Sequence, residues 1–382
     1  MQSSFKNKNV LIISPELWGE MKISKHHYAI TLAKHGANVY FLNRNLKNTG
    51  NKIINLESSG YENLTIVKFK AKLFWWLKFK APKLFNFVLK IVFSKIINAI
   101  GGIDVVIDFD LNNHFKFTWY NKTTTKIFFP VDEPPFNVGN IGQNADYTFS
   151  ITKEILEKFK QIKSPQFLLQ HGINENFISE PSVKKYDLGL IHVGYAGNLF
   201  RQDIDTDIFV EIIKNNQNCI FHFWGNIDPK IGNLSPIYNV GYYTNFINQL
   251  KLHNNVILHG VVEFDLLADA YKTIDVFINC YNILKDQSKG TNYHKLMEYL
   301  STGKVVVSNN TTSYNTFGDD FIVMCKSRTD NLEMPDLFFK VVNNLSYYNS
   351  EFLQKQRINF AKDNTYSSNI AKIEQFISST KV

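Results

Sequence analysis

The sequence predicts an α/β protein made of two Rossmann-like domains. Three observations predict it. Short apolar or β-branched runs alternate with amphipathic helical stretches along the chain, which is the pattern of parallel sheets covered on both faces. A β-loop-α-β opening occurs twice, from Val10 and again from Leu188. At 382 residues the chain exceeds the roughly 250–300 residues over which one core keeps growing.

In chain order, Val10 to Ser14 reads as a strand, Ile23 to His35 as a helix stopped by Gly36, and Val39 to Leu42 as the next strand. No G-x-G-x-x-G follows the first strand, so no dinucleotide cofactor is indicated. His26 and His27 at the helix start are weak candidates, since capping or surface histidines are commoner than catalytic ones. Asp104–Asp108, Lys126–Val131, Ala145–Ser150 and Phe167–Gln170 are further strands, with a helix over Thr152–Lys160. The polar stretch from Glu180 to Tyr186 reads as an interdomain linker. The expected division is a first domain over 1–178, a second over 187–350 and a helical tail over 351–382.

Composition bounds the possibilities. The chain is 44% hydrophobic and 14% aromatic, which is ample for two cores, and its formal charge is +8. Cys219, Cys280 and Cys325 are far apart and odd in number, so neither a disulfide framework nor a zinc site is expected. The N-terminal MQSSFKNKNV lacks an apolar h-region and no long uncharged apolar run occurs, so the expectation is a cytoplasmic protein without a membrane span.

Lys68 to Lys95 differs from the rest. It holds eight lysines and no acid, interleaved with Phe69, Phe74, Trp75, Trp76, Phe79, Phe85, Phe87 and Phe93. These lysines equal the whole formal excess, so the basicity is local. Such a segment suits an anionic membrane surface, where each lysine contributes about 1 kcal/mol. A core-covering helix with a solvated basic face is the plainer explanation. Nucleic acid is disfavoured, because the rings cluster with Leu and Val.

Several acidic groups invite a functional reading. Asp108-Phe109-Asp110 matches a D-x-D metal motif only superficially. Asp203, Asp205 and Asp207 lack the remaining residues of a calcium loop and suit a helix start instead. No metal is expected. Asp132 and Glu133, followed by Pro134 and Pro135, stand at the C-terminal end of a strand, where open α/β sheets place their chemistry. A carboxylate there can accept a hydroxyl proton, and two adjacent acids can raise one another's pKa. A turn that uses Asp and Pro only for its geometry is the alternative.

In the second domain, Tyr195-Ala196-Gly197-Asn198 is a loop in which Gly197 permits close backbone approach to a phosphate, and Arg201 adds charge. The most informative stretch is GTNYHKLMEYLSTGKVVVS, Gly290 to Ser308: loop, helix, glycine stop at Gly303, buried valine strand. Tyr293, His294 and Lys295 sit at the helix start, and Glu298 lies three residues after Lys295 on the same side. A helix N-terminus with a lysine suits a diphosphate, and a carboxylate one turn later suits two ribose hydroxyls. On spacing alone, a solvated i,i+3 ion pair is the more economical reading.

The segment K-L-M-E-Y-L-S-T-G-K-V-V-V resembles the nucleotide-sugar signature of GT-B glycosyltransferases, whose common form is K-L-x-E-Y-L-A-x-G-x-P-V-V. The resemblance implies two Rossmann-like domains facing across a cleft, with Glu298 on the donor ribose and Lys295 at the diphosphate. It extends to N-V-I-L-H-G, D-V-F-I-N, and to His171-Gly172-Ile173-Asn174 at the exit from the first domain, where His171 would face the cleft. It also implies that Glu16 to Met21 lie near the acceptor, that Asn309 to Gly318 reach phosphates through Thr311 and Thr312, and that the tail crosses back to the first domain. Many retaining members carry a second Glu eight positions before the ribose Glu; here that position is Gly290.

Within this superfamily the chain is similar to bacterial surface-polysaccharide transferases, including the xanthan-type glucuronosyltransferases, through F-P-V-D-E, Q-H-G-I-N-E-N-F and the donor segment to Phe317-Gly318. That likeness implies an inverting, metal-independent transferase with Asp132 as general base. Its donor would be a UDP-sugar and its acceptor lipid-linked or polysaccharide, and it would lie peripherally on the cytoplasmic membrane face with no bound cofactor. Glu133, Asn198, His294 and Tyr293 join the expected substrate contacts. A sugar-nucleotide epimerase of the same fold, or a non-catalytic sugar-nucleotide binder, is the alternative.

Overall fold

The apolar runs become two separate parallel sheets. The computed structural model describes residues 3–19, 22–45, 53–70, 75–134, 138–184, 186, 189–227 and 240–380. Glu20, Met21, Lys72, Phe74, Pro135, Lys185 and Leu188, all within stretches singled out above, lie outside the described residues. The chain divides into a first unit, Met1–His171 with Tyr366–Val382, and a second, Gly172–Thr365.

The first unit runs β1 (Asn9–Ile13), α1 (Ser24–Lys34), β2 (Asn38–Asn45), β3 (Ile54–Ser58), β4 (Leu64–Lys70), α2 (Leu77–Lys80), α3 (Pro82–Ile100), β5 (Val105–Asp108), β6 (Thr125–Phe128), β7 (Tyr147–Ser150), α4 (Lys153–Lys158) and β8 (Gln166–Leu168). The strands form one sheet in the order β3-β4-β2-β1-β5-β6-β7-β8, parallel except for the edge strand β3. Every residue of β5 is buried, as are Val10 to Ile13 of β1, which is why these central strands read as unbroken apolar runs. The order reverses between β1 and β5, so the loops after β1, β5 and β6 gather at the C-terminal edge of the sheet.

The hairpin β3–β4 was not expected. Lys68 and Lys70 make β4 look like part of a charged run, yet both alternate with buried residues, and Lys68 reaches Glu57 of β3 at 2.6 Å. The expected basic segment from Lys68 to Lys95 is therefore split between a strand and two helices. α3 begins on Pro82 and stops at Gly101, whose φ of +76° suits only a residue without a Cβ.

The second unit contains β9 (Ile191–Ala196), α5 (Thr206–Asn215), β10 (Cys219–Trp224), α6 (Val240–Leu250), β11 (Val256–Gly260), α7 (Phe264–Tyr271), β12 (Val276–Asn279), α8 (His294–Leu300), β13 (Val305–Ser308), β14 (Val323–Met324), α9 (Met334–Val342), α10 (Leu345–Tyr348) and α11 (Glu351–Lys362). Its sheet, β11-β10-β9-β12-β13-β14, is parallel throughout and reverses order between β9 and β12. α12 (Tyr366–Thr380) then belongs to the first unit. There Tyr366 stacks on His27 at 5.1 Å, and the Asn369 amide donates to the Tyr28 hydroxyl and the Gln170 carbonyl.

The unit boundary lies at His171 rather than at 178, and the expected linker is bonded into the second unit. The Ser182 amide donates to Gln354 of α11, and Lys304 donates to the Ser182 carbonyl. α11 is anchored by Arg357, whose fully buried guanidinium donates to the carbonyls of Phe321, Gly303, Tyr348 and Asp320. Burial pulls Arg357 down to about 9, because these partners are dipoles and not carboxylates.

Three histidines on adjacent strands of this sheet form a chain. His192 Nδ1 meets His222 Nε2, and His222 Nδ1 meets His259 Nε2, both at 2.9 Å. Burial, with His192 and His259 alongside, draws His222 down to about 4, and burial draws His26 of the first unit to about 4. Both rings are thus neutral in the fold, while the unfolded chain takes up protons below about pH 6.5. Stability should fall as pH drops from about 6.5 to 4, with buried His26 alone accounting for roughly 3 kcal/mol. Thermal melting across that range checks this, and His222→Gln should flatten part of the slope.

Candidate functional site

In the second unit, the loops after β9, β12 and β13 meet at the C-terminal edge of the sheet, and Asp286 organises them. This carboxylate is buried and accepts from the Ser288 and Gly290 amides at 3.0 and 2.9 Å, the Ser288 hydroxyl at 2.5 Å and the Tyr293 hydroxyl at 2.7 Å. Burial opposes its charge, but these donors hold it below the usual carboxylate range. Asn309 ties the loops together: its Oδ1 accepts from Asn279 and the Tyr281 amide, and its Nδ2 donates to Tyr293. The loop leading into α8 is thus tied down by hydrogen bonds at Asp286 and Asn309.

Gly290 shows why no second glutamate stands here. Its φ is +66°, and a Cβ would lie 2.8 Å from the Asn310 carbonyl oxygen. Both the backbone conformation and the neighbour exclude a side chain. Gly290→Ala should destabilise the protein by about 1–3 kcal/mol, read as a lowered melting temperature.

Glu298 is 3% exposed, which overturns the solvated-pair reading. Lys295 Nζ donates to Oε2 at 2.8 Å, His294 Nδ1 lies 3.2 Å from Oε1, and the Tyr271 hydroxyl lies 3.4 Å from Oε2. Burial alone would push Glu298 up, but Lys295 and His294 hold it at about 2. His294 Nε2 also faces the Gly172 carbonyl at 3.1 Å. Both ring nitrogens therefore face acceptors.

Other expected contacts are engaged internally. Arg201 Nε donates to Asp203 at 2.8 Å, its Nη2 is also bonded to Asp203, and Asp286 lies 3.7 Å away. The charge that Arg201 was expected to add is thus paired with Asp203. Tyr293 directs its hydroxyl inward at Asp286. The Gly197 amide donates to the Trp224 carbonyl at 2.9 Å, so that N–H is already engaged. The close approach belongs to Gly225, where a Cβ would meet the Gly197 oxygen at 1.8 Å. Asn198 is exposed, and its Oδ1 accepts from the Phe200 amide at 3.0 Å. The Thr311 and Thr312 hydroxyls donate to the carbonyls of Asn309 and Thr291.

In the first unit, Lys25 is the unexpected residue. It stands in the first turn of α1, is 1% exposed, and donates to Glu16 Oε1 and Oε2 at 2.8 and 2.9 Å and to Asp132 Oδ2 at 2.7 Å. Burial alone would lower it, but Asp132 and Glu16 raise it above the usual lysine value, so the cation persists. The Asp132 side chain is 61% exposed while fixed at one oxygen. Glu133 is bonded to Lys158 of α4 and Asp132 to Lys25, so the two adjacent acids have different partners. His171, at the end of this unit, is half-buried.

His26 is a capping residue: its Nδ1 accepts from the Ile23 amide at 3.1 Å, leaving Nε2–H for the Leu17 carbonyl. Asp110 bonds to His114 at 3.0 Å, and buried Asp108 is pushed well above the usual range, first by burial and then by Asp110. Among the described residues no group of three or more His, Cys, Asp or Glu side chains is placed to hold a metal ion.

No family model and no curated protein matches the chain. Solved structures do. Sucrose-phosphate synthase from Thermosynechococcus elongatus is 11% identical over 97% of this chain and 98% of its own, with a TM-score of 0.66. HepE from Anabaena, in complex with UDP and glucose, is 12% identical over 98% of each chain at a TM-score of 0.64. WaaG, a glycosyltransferase involved in lipopolysaccharide biosynthesis, is 12% identical over 98% of this chain and 100% of its own at 0.59. With two parallel-sheet units and these likenesses over nearly its whole length, the chain has the GT-B fold.

Proposed function

We propose that this protein is a glycosyltransferase that moves a sugar from a nucleotide diphosphate donor, UDP-linked, to a hydroxyl of a lipid-linked or polysaccharide acceptor in bacterial surface glycan synthesis. The observation that carries the reading is Glu298. A carboxylate kept ionised at 3% exposure by a lysine and a histidine is a built polar site. It stands at the position of the signature that holds a donor ribose. Solved structures of the same fold include complexes with UDP and with UDP-glucose.

In this reading Glu298 accepts from the ribose hydroxyls, and Lys295 supplies the positive charge that stabilises the departing diphosphate, with His294 holding Glu298 in place. The acceptor oxygen bonds to the anomeric carbon on the face opposite the donor bond, that bond breaks with its electron pair going to the diphosphate, and the acceptor proton passes to Asp132. Buried Lys25 keeps Asp132 oriented. The step inverts the anomeric centre and routes nothing through a metal or cofactor. Incubation with a panel of nucleotide sugars and a lipid-linked acceptor extract, read as sugar transfer, tests this. Absence of transfer from every donor, or interconversion of a free UDP-sugar, overturns it.

A further inference from the structure

Ahead of α8 the chain makes a tight turn that its Ser-Lys-Gly-Thr sequence does not announce, since Asn or Asp is the usual neighbour of Gly in such turns. The Thr291 amide donates to the Ser288 carbonyl at 3.1 Å, and the two residues between them, Lys289 and Gly290, have φ of +53° and +66°. Positive φ at both central positions marks a type I′ turn. Gly290 adopts it freely, but Lys289 has a Cβ and is strained there. Such strain persists only where the surroundings over-determine the backbone. Here they do so at a single peptide group. The Gly290 amide donates to Asp286 Oδ2 at 2.9 Å, and the Lys289 carbonyl of the same peptide accepts from Arg328 Nη2 at 2.5 Å. Arg328 stands in the loop after β14, and its Nη1 donates to Asn310 Oδ1 at 2.9 Å, so one guanidinium joins the turn to the loop after β13. Both partners are neutral oxygens, so the shape of the fork and not the charge decides the contact. Only four of the 42 Lys and Arg residues are arginine, so its use here reflects the need for two donors at fixed spacing.

We infer that Arg328 is a positioning residue that, together with Asp286, holds the Ser288–Thr291 turn against the sugar end of the donor. The inference rests on the proposed function and deepens it. In that reading the ribose lies at Glu298 and the diphosphate at Lys295, so the donor runs toward the N-terminus of α8. The sugar comes next along the donor, and this turn comes next along the chain. The turn is also anchored to the loop after β13: the Thr312 amide donates to the Gly290 carbonyl and the Ser313 amide to the Thr291 carbonyl, both at 3.0 Å. A shift of the turn therefore carries that loop with it. Without Arg328, Lys289 relaxes toward negative φ and the Lys289–Gly290 peptide rotates. The ribose and diphosphate contacts stand on α8 and stay in place, so only the groups facing the sugar move. Glycine at position 289 removes the strain and with it the need for the clamp.

Isothermal titration and steady-state kinetics of the full chain test this with UDP and with UDP-glucose, UDP-galactose, UDP-N-acetylglucosamine and UDP-glucuronate. Arg328→Met is expected to keep UDP affinity within about twofold while weakening the best-bound UDP-sugar about tenfold. Misplacement of the sugar should lower turnover by a further factor of about 10–100. Adding Lys289→Gly to Arg328→Met should recover most of the loss. Arg328→Lys, which offers one ammonium in place of the fork, should recover less than that double variant. Lys289→Gly alone should raise the melting temperature, and that arm stands even where Arg328→Met does not fold. Unchanged UDP-sugar affinity in Arg328→Met, or equal losses for UDP and the UDP-sugar, would overturn the inference. So would a lack of recovery on adding Lys289→Gly, which would show that Arg328 touches the donor itself, or a lowered melting temperature in Lys289→Gly, which would show that no strain is held there. Binding of neither UDP nor any of these UDP-sugars by the unsubstituted protein would bring down the proposed function and this inference with it. A UDP-sugar bound equally by every variant would leave that function standing and Arg328 without the role.

Discussion

Replacing Glu298 with alanine is expected to weaken UDP-sugar binding by about 10²–10⁴-fold, since two hydrogen bonds to a charged acceptor contribute roughly 1.5–3 kcal/mol each. The effect is expected to be large because the carboxylate is already desolvated and oriented. Lys295, His294 and Tyr271 hold both its oxygens, so little ordering remains to be done when a ribose arrives. Glu298→Ala also leaves Lys295 and His294 without the carboxylate they share. Isothermal titration with UDP and with UDP-glucose reads the loss, and Glu298→Gln should recover part of it by retaining one acceptor oxygen. Undiminished donor affinity in Glu298→Ala, in a protein of unchanged fold, would remove Glu298 from the site.

Asp132→Asn should lower turnover by about 10²–10⁴-fold while leaving donor affinity unchanged, because the amide cannot accept the acceptor's proton. Lys25→Met separates orientation from proton transfer. It removes the cation that fixes one Asp132 oxygen and leaves Glu16 and Asp132 facing one another. Both carboxylates reach solvent, so the stability cost should be about 2 kcal/mol or less, well under that of a fully buried pair. Turnover should fall with donor affinity retained, and Lys25→Arg should restore part of it. Full activity in Asp132→Asn would assign the proton elsewhere, Glu16 being the other carboxylate on Lys25.

The fold was legible because it rests on local patterns. The Val305–Val307 run and the glycine stop at Gly303 declare themselves within a few residues, and each element of the opening β-loop-α-β unit within about a dozen. Glu298 was legible through its motif, although its spacing from Lys295 alone pointed to a solvated pair. Lys25 was not legible: its partners lie 9 and 107 positions away and meet it only once the sheet forms. Asp286 left a weak local sign, since Asp-x-Ser favours a side-chain-closed turn, but the reach of Tyr293 back to it depends on the loop's path.

The sequence by itself determined the two parallel-sheet units, the strand-to-loop sites where chemistry can sit, and the basic aromatic stretch, because apolar period, glycine conformation and charge density are properties of short segments. Tertiary structure decided which polar groups are engaged. It bound Arg201 to Asp203, separated Glu133 from Asp132, buried Glu298 among its donors, and divided the aromatic residues of the basic stretch between the core and the outer surface. The physical reason is that hydrogen bonds and ion pairs depend on distances of a few ångströms between residues remote in sequence, and only the packed chain sets those distances.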